Sequence, residues 1–178
     1  MDMQVIEEMK TFLNFGAQDI ANLRALGPVM EPHQQQITDT FYDVLGQHGP
    51  TAKLIEGRVD QLKRTHAKWF ADLFAGEYGQ PYFEGRWRIG QAHVRIGLDP
   101  FWVEGVMSLI RTMAATAMAA NSSDPEDVAQ KYASLCKLLD LDLLVINLAY
   151  QDDRLARLTD FTGMKRALIE NIIRLPKK

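Results

Sequence analysis

Four imidazoles are the side chains best suited to chemistry near neutral pH in this chain: His33, His48, His66 and His93. His93 lies at helical spacing between Ile89 and Ile96, with Gly90 leaving space one turn before it and Gly97 turning the chain immediately after. His66 comes 27 residues earlier, on the stripe Leu62, His66, Trp69, Leu73, with Phe70 beside it. An imidazole among apolar neighbours needs either a hydrogen bond or a metal. Two helices that lean antiparallel could present this pair to opposite faces of one planar cofactor. Haem asks for little more, namely one imidazole on an apolar helix face and a deep hydrophobic slot. Each residue also reads as a satisfied core histidine, and His66 as a group hydrogen-bonded to a propionate at a pocket mouth. His33 follows Pro32 at a helix start and His48 sits between glycines and a proline, so both read as exposed and take no role. No Ser/His/Asp set, Gly-rich phosphate loop or zinc-spaced Cys/His cluster stands out, and no catalytic residue is assigned.

The elements that must hold these imidazoles are helices, since no alternating Val/Ile/Thr run lies between turns. A short N-terminal segment carries Val5, Ile6, Met9, Phe12 and Leu13. Ile20, Leu23 and Leu26 then lead to an expected stop at Gly27-Pro28. A second helix is expected from about Pro32 through Ile37, Phe41, Val44 and Leu45 to a break over Gly46 to Pro50. A third is expected over Val59 to Phe74, and a fourth from Pro81 to Gly97. Asp99-Pro100 and Asp124-Pro125 each place an acid at a helix cap ahead of a proline in the first turn. The first of these long helices should bury Trp102, Val106, Leu109, Ile110 and Met113, leaving a small-residue face of Gly105, Ser108, Thr112, Ala115 and Ala119. The second is apolar on two sides, so it must be covered on two sides, by a subunit contact or by its own domain. After Tyr150 the composition turns polar and the helical spacing weakens. Residues 1–154 therefore read as one domain and 155–178 as an exit or linker helix.

Bulk composition narrows the classes further. With 47% hydrophobic and 24% charged residues the chain has enough apolar surface to fold around a core. A net charge of -3 without a basic stripe argues against a nucleic-acid partner. The single cysteine, Cys136, has no internal disulfide partner. Leu138 to Ala149, the most apolar stretch, is broken by Asp140, Asp142 and Asn147 and is too short to span a bilayer. Met1-Asp2-Met3-Gln4 lacks a basic leader region. A cytoplasmic location is expected, with any membrane tether lying outside this chain.

The chain resembles the globin domain of the globin-coupled sensors over nearly the whole domain. The likeness includes Asp19-Ile20-Ala21-Asn22-Leu23-Arg24, Phe41-Tyr42-Asp43 and the stretch from Trp69 to Gly76. Its most specific part is the run from Arg88 to Trp102, in which His93, Gly97 and Asp99-Pro100 stand in fixed register. The resemblance implies an all-α globin fold with an extra N-terminal helical segment and no clear D helix. It implies haem b (iron protoporphyrin IX) with His93 as proximal ligand, and Tyr42 as a distal hydrogen-bond donor to bound gas. Trp69, Phe70 and Ile89 are expected around the cofactor. His66 departs from the family pattern, because an imidazole there could be a sixth, bis-histidyl ligand. The family further implies a diatomic ligand (O2, CO or NO), a homodimer through helices 100–120 and 125–150, and a downstream transmitter. A protoglobin is the nearest rival in the superfamily, and its N-terminal proline/glycine/tyrosine turn is not seen here.

Two other functions compete with sensing. A globin that binds oxygen or oxidises nitric oxide needs an open distal site and an electron supply, whereas His66 obstructs that site and no flavin or reductase motif is present. A non-haem interaction module would fill the pocket and lose its proximal histidine, and His93 is retained.

Overall fold

The Asp-Pro pairs begin the two longest helices of the chain, and the rest of the fold is arranged around the second of them. The computed structural model describes residues 1–176. In order these form α1 (Met3–Phe12), α2 (Ala17–Met30), a 3-10 turn (Glu31–His33), α3 (Gln34–Gln47), α4 (Gly49–Ile55), α5 (Val59–Asp72), α6 (Gln80–Ile96), α7 (Pro100–Asn121), α8 (Pro125–Thr162) and α9 (Arg166–Arg174). No strand occurs among the described residues, as an all-α fold requires. Asp124 caps α8 by accepting from the backbone N–H groups of Glu126 and Asp127. Asp99 occupies the cap of α7 without a side-chain bond.

α8 packs against α1, α2, α6 and α7, and α3 pairs with α5 alongside. Much of the apolar surface of α8 is thus covered within the chain, with Leu138, Leu139, Leu141 and Val145 fully buried. Leu143, Leu144 and Leu148 remain half-buried. On α7 the buried face is Val103, Met107, Ile110, Ala114, Ala117 and Met118, shifted round the helix from the expected stripe. Gly105, Ser108, Thr112 and Ala119 are exposed, so the small-residue face points outward. Polar residues of the α2 motif fix that helix in place. Asp19 accepts from the Gly16 N–H at 3.0 Å and from Ser134 Oγ on α8 at 2.8 Å. Arg24 donates to the Gly76 carbonyl at 3.1 Å.

Three local expectations change. α2 does not stop at Gly27-Pro28 but runs on to Met30. A proline inside a helix removes one donor and crowds the carbonyl four residues back. Here Leu26 and Met30 are both buried, and their packing carries the last turn through. The break expected over Gly46 to Pro50 shrinks to His48, because Pro50 sits in the first turn of α4. Thr51 Oγ1 donates to the Leu45 carbonyl at 2.6 Å and closes the joint.

Gly90 differs most in its role. It does not make room beside His93; it lets α6 press against α8. A Cβ at Gly90 would lie 2.7 Å from Ala149 Cβ and 3.0 Å from the Ile146 carbonyl oxygen. Gly90→Ala should therefore lower stability by about 1–3 kcal/mol through overpacking, despite a gain of about 1 kcal/mol in helix propensity. Urea unfolding of the two proteins compares the terms, and an unchanged or raised midpoint would contradict this packing.

Candidate functional site

α3, α5, α6 and α7 enclose an apolar cavity of about 270 Å³. α5 supplies Leu62, His66 and Trp69, α6 supplies Ile89, His93 and Ile96, and α3 supplies Phe41 and Tyr42. Val103, Val106, Met107 and Ile110 of α7 form the remaining wall with Ile146 of α8. An adjoining compartment of about 120 Å³ shares Tyr42, Leu62, His93 and Ile96. The structure thus brings together His93, His66, Tyr42, Trp69 and Ile89. Phe70 lies behind His66 in the core, ring centroids 6.5 Å apart, and is not on the cavity wall. Tyr42 is buried.

The end of α6 places His93. Gly97 takes φ +73°, donating its N–H to the Val94 carbonyl, while the Leu98 N–H reaches the His93 carbonyl at 3.0 Å. This is a Schellman cap, and it ties down the backbone of His93 itself. The Tyr150 hydroxyl on α8 then donates to the Leu98 carbonyl at 2.7 Å, anchoring the turn that follows.

His66 is held by rings and one polar contact. Phe41 stacks on it at 4.8 Å, and Trp69 and Tyr42 lie at 5.2 and 6.1 Å between centroids. Its Nδ1 stands 3.0 Å from Thr38 Oγ1. Nε2 of His66 and Nδ1 of His93 are buried without a hydrogen-bond partner among the described residues. Burial depresses both imidazoles to a pKa of about 4, so both are neutral at pH 7 and each keeps a nitrogen lone pair. Burial also raises the Tyr42 phenol, which stays protonated and remains a donor.

Behind the cavity lies a buried charged cluster that sequence reading did not find. Arg86 on α6, 3% exposed, donates through Nε to Asp142 on α8, 0% exposed, at 2.8 Å. Trp69 Nε1 donates to the same carboxylate oxygen at 3.1 Å. Arg86 also reaches the Trp69 carbonyl at 3.3 Å and lies over the Tyr82 ring at 3.9 Å. Burial pushes the Asp142 carboxyl above the usual range, and the Arg86 guanidinium opposes that shift. The available signal was Asp142 itself, a charge inside a helix apolar on both sides, which demands a cation.

A family model named Protoglobin matches residues 2–156. The chain belongs to the protoglobin family. The missing N-terminal turn therefore does not separate it from that family. The likeness to sensor globins holds as well. The chain is similar to the globin domain of a Geobacter sulfurreducens globin-coupled sensor, 33% identical, with a TM-score of 0.77 over 81% of this chain and 96% of that one. The ferric globin domain of Escherichia coli DosC shares the fold at 16% identity, with a TM-score of 0.68 over 80% of this chain and 97% of that one. A haem-based aerotactic transducer, HemAT of Halobacterium salinarum, is 27% identical over 89% of this chain. The chain spans about a third (35%) of that transducer's length.

A globin of this family implies haem, and the slot fits it. The walls are apolar, two neutral imidazoles line them from two helices, and each imidazole has a buried nitrogen that no protein group satisfies. No cluster of three or more His, Cys, Asp or Glu could hold a bare metal ion among the described residues.

Two outcomes follow from these charges. Asp142→Leu removes the buried carboxylate and leaves Arg86 only the half-exposed Asp72, at 3.5 Å; it should cost about 3–5 kcal/mol, while adding Arg86→Met should recover most of it in denaturant unfolding at pH 7. The folded imidazoles resist protonation until about pH 4, whereas in the unfolded chain they protonate near 6.5. The unfolded state therefore binds more protons in that window, and stability falls as pH drops from 6.5 towards 4. Thermal unfolding of the haem-free chain across this range should show the loss, and His66→Leu should flatten it.

Proposed function

We propose that this chain is a haem-based sensor globin for a diatomic gas or for redox state, with haem b held by His93 and, on the distal side, by His66. The observation that carries the reading is the slot itself, apolar on its walls and lined by two neutral imidazoles. When bound, haem would supply an iron able to take a protein nitrogen or a small gas. His93 offers a lone pair from a backbone fixed by its Schellman cap and by Tyr150. His66 closes the distal side, and Tyr42, protonated and on the wall, is the hydrogen-bond donor available when His66 withdraws. An internal ligand lowers apparent gas affinity by the fraction of time the site is open. O2, CO and NO are the ligand class.

The output in this reading is mechanical rather than catalytic. A shift of α6 bears on α8 through the Gly90 contact and the Tyr150–Leu98 bond. We assign a homodimer surface to α7 and α8, with the exposed small residues of α7 at its centre. The exit segment expected over 155–178 is not one helix but the end of α8 followed by α9, which folds back onto it, and in this reading it leads towards a transmitter; of these residues, Lys177 and Lys178 lie outside the described ones. The name of the Halobacterium relative, an aerotactic transducer, supports a signalling role. No helix among the described residues is long and apolar enough to cross a membrane, and a cytoplasmic site of action is part of the proposal.

His93→Ala should abolish stable haem retention, and free imidazole should restore it, as read from the visible absorption of desalted protein. A His93→Ala protein that keeps its haem unaided would overturn the assignment of the proximal ligand.

A further inference from the structure

Thr38 behaves unlike five other helix threonines. Thr11, Thr65, Thr112, Thr116 and Thr162 each donate their hydroxyl to the carbonyl four residues back in their own helix. Thr38, 2% exposed on α3, instead meets His66 Nδ1 on α5 at 3.0 Å. The rings around His66 fix its plane by packing, yet none of them forms a hydrogen bond with it. Among the described residues Thr38 is thus the sole polar contact that can distinguish one ring nitrogen from the other.

That distinction decides what His66 can do. A neutral imidazole carries one proton. With the proton on Nδ1, Nε2 keeps a lone pair that can bind a metal. With the proton on Nε2, the same atom is a buried donor facing a slot that offers no protein acceptor. We propose that Thr38 accepts the Nδ1–H of His66 and so holds the ring in the tautomer whose Nε2 can ligate the haem iron. Thr38 is a positioning residue for the distal ligand, and this rests on the reading that His66 ligates. Metal-bound imidazoles generally donate their other N–H to an oxygen, and that partner orients the ring and raises its basicity. The hydroxyl also stands against opening. For His66 to swing aside for a gas, the bond between α3 and α5 must break with the iron bond.

The test compares the haem-loaded full chain as wild type, Thr38→Val, Thr38→Ser and His66→Ala. Optical and electron paramagnetic resonance spectra report the sixth ligand, and CO association after flash photolysis reports its competition with gas. Thr38→Val keeps the side-chain shape without the acceptor and should weaken His66 ligation about 10- to 100-fold. The high-spin fraction should grow and CO association should quicken towards the His66→Ala rate. Thr38→Ser keeps the hydroxyl and should stay close to wild type. Thr38→Ala carries the same test should the valine protein fail to fold. Valine or alanine proteins that match wild type in spectrum and CO kinetics, while His66→Ala differs, would overturn the role of Thr38 and leave His66 as ligand. A wild-type spectrum unchanged by His66→Ala would instead overturn the ligand reading, and the role of Thr38 with it.

Discussion

The arrangement depends most on a buried carboxylate. Asp142 has no exposure to water, and a lone charge there would be untenable. Arg86 and Trp69 answer it together, and in doing so they clamp three helices at one point. α5 carries His66, α6 carries His93, and α8 is the longest helix of the fold. The width of the slot between the imidazoles is therefore not left to side-chain packing alone. A well-packed apolar replacement could hold the same helices with similar stability. What the ion pair adds is register, since its bonds have direction and apolar contacts do not.

The two imidazoles suit such a setting because they are uncharged. A slot with apolar walls disfavours imidazolium, so the rings stay neutral well below the usual histidine range. The same burial keeps the Tyr42 phenol intact. Each group is thus held in the protonation state in which it can give a lone pair or a hydrogen bond. Desolvation by the fold does this without any charged neighbour.

Much of this was legible in the sequence wherever the signal was local. The run around His93 could be read because Gly97 must take a left-handed conformation and Asp99-Pro100 must open the next helix. The N-terminal cap of α8 was legible for the same reason, whereas its run past Tyr150 to Thr162 was not. Pro28 misled because a penalty known for isolated helices is outweighed when Leu26 and Met30 are already committed to the core. Asp142 was visible only as an interruption of an apolar run; its partner on α6 lies 56 residues away, among several arginines of similar spacing. Thr38 was silent altogether, since a hydroxyl carries no information about a ring 28 residues on. Phe70 was placed at the slot by its neighbours in sequence, and a rotation of one position round α5 takes it behind His66.

The length of α8 has a consequence of its own. Its 38 residues span about 57 Å, well beyond the diameter of a small domain. The described contacts that grip it end near Tyr150, apart from α9, which folds back onto it after Gly163 and is pinned by Arg166 to Asp152 at 2.6 Å. From Tyr150 to Thr162 the helix projects roughly 18 Å. A tilt of about 5° at the point where Tyr150 holds the Leu98 turn would carry Thr162 about 1.5 Å sideways, on that rise per residue. The helix is thus a lever with its fulcrum close to the turn that follows His93, and a small tilt there becomes a displacement of more than an ångström at its far end.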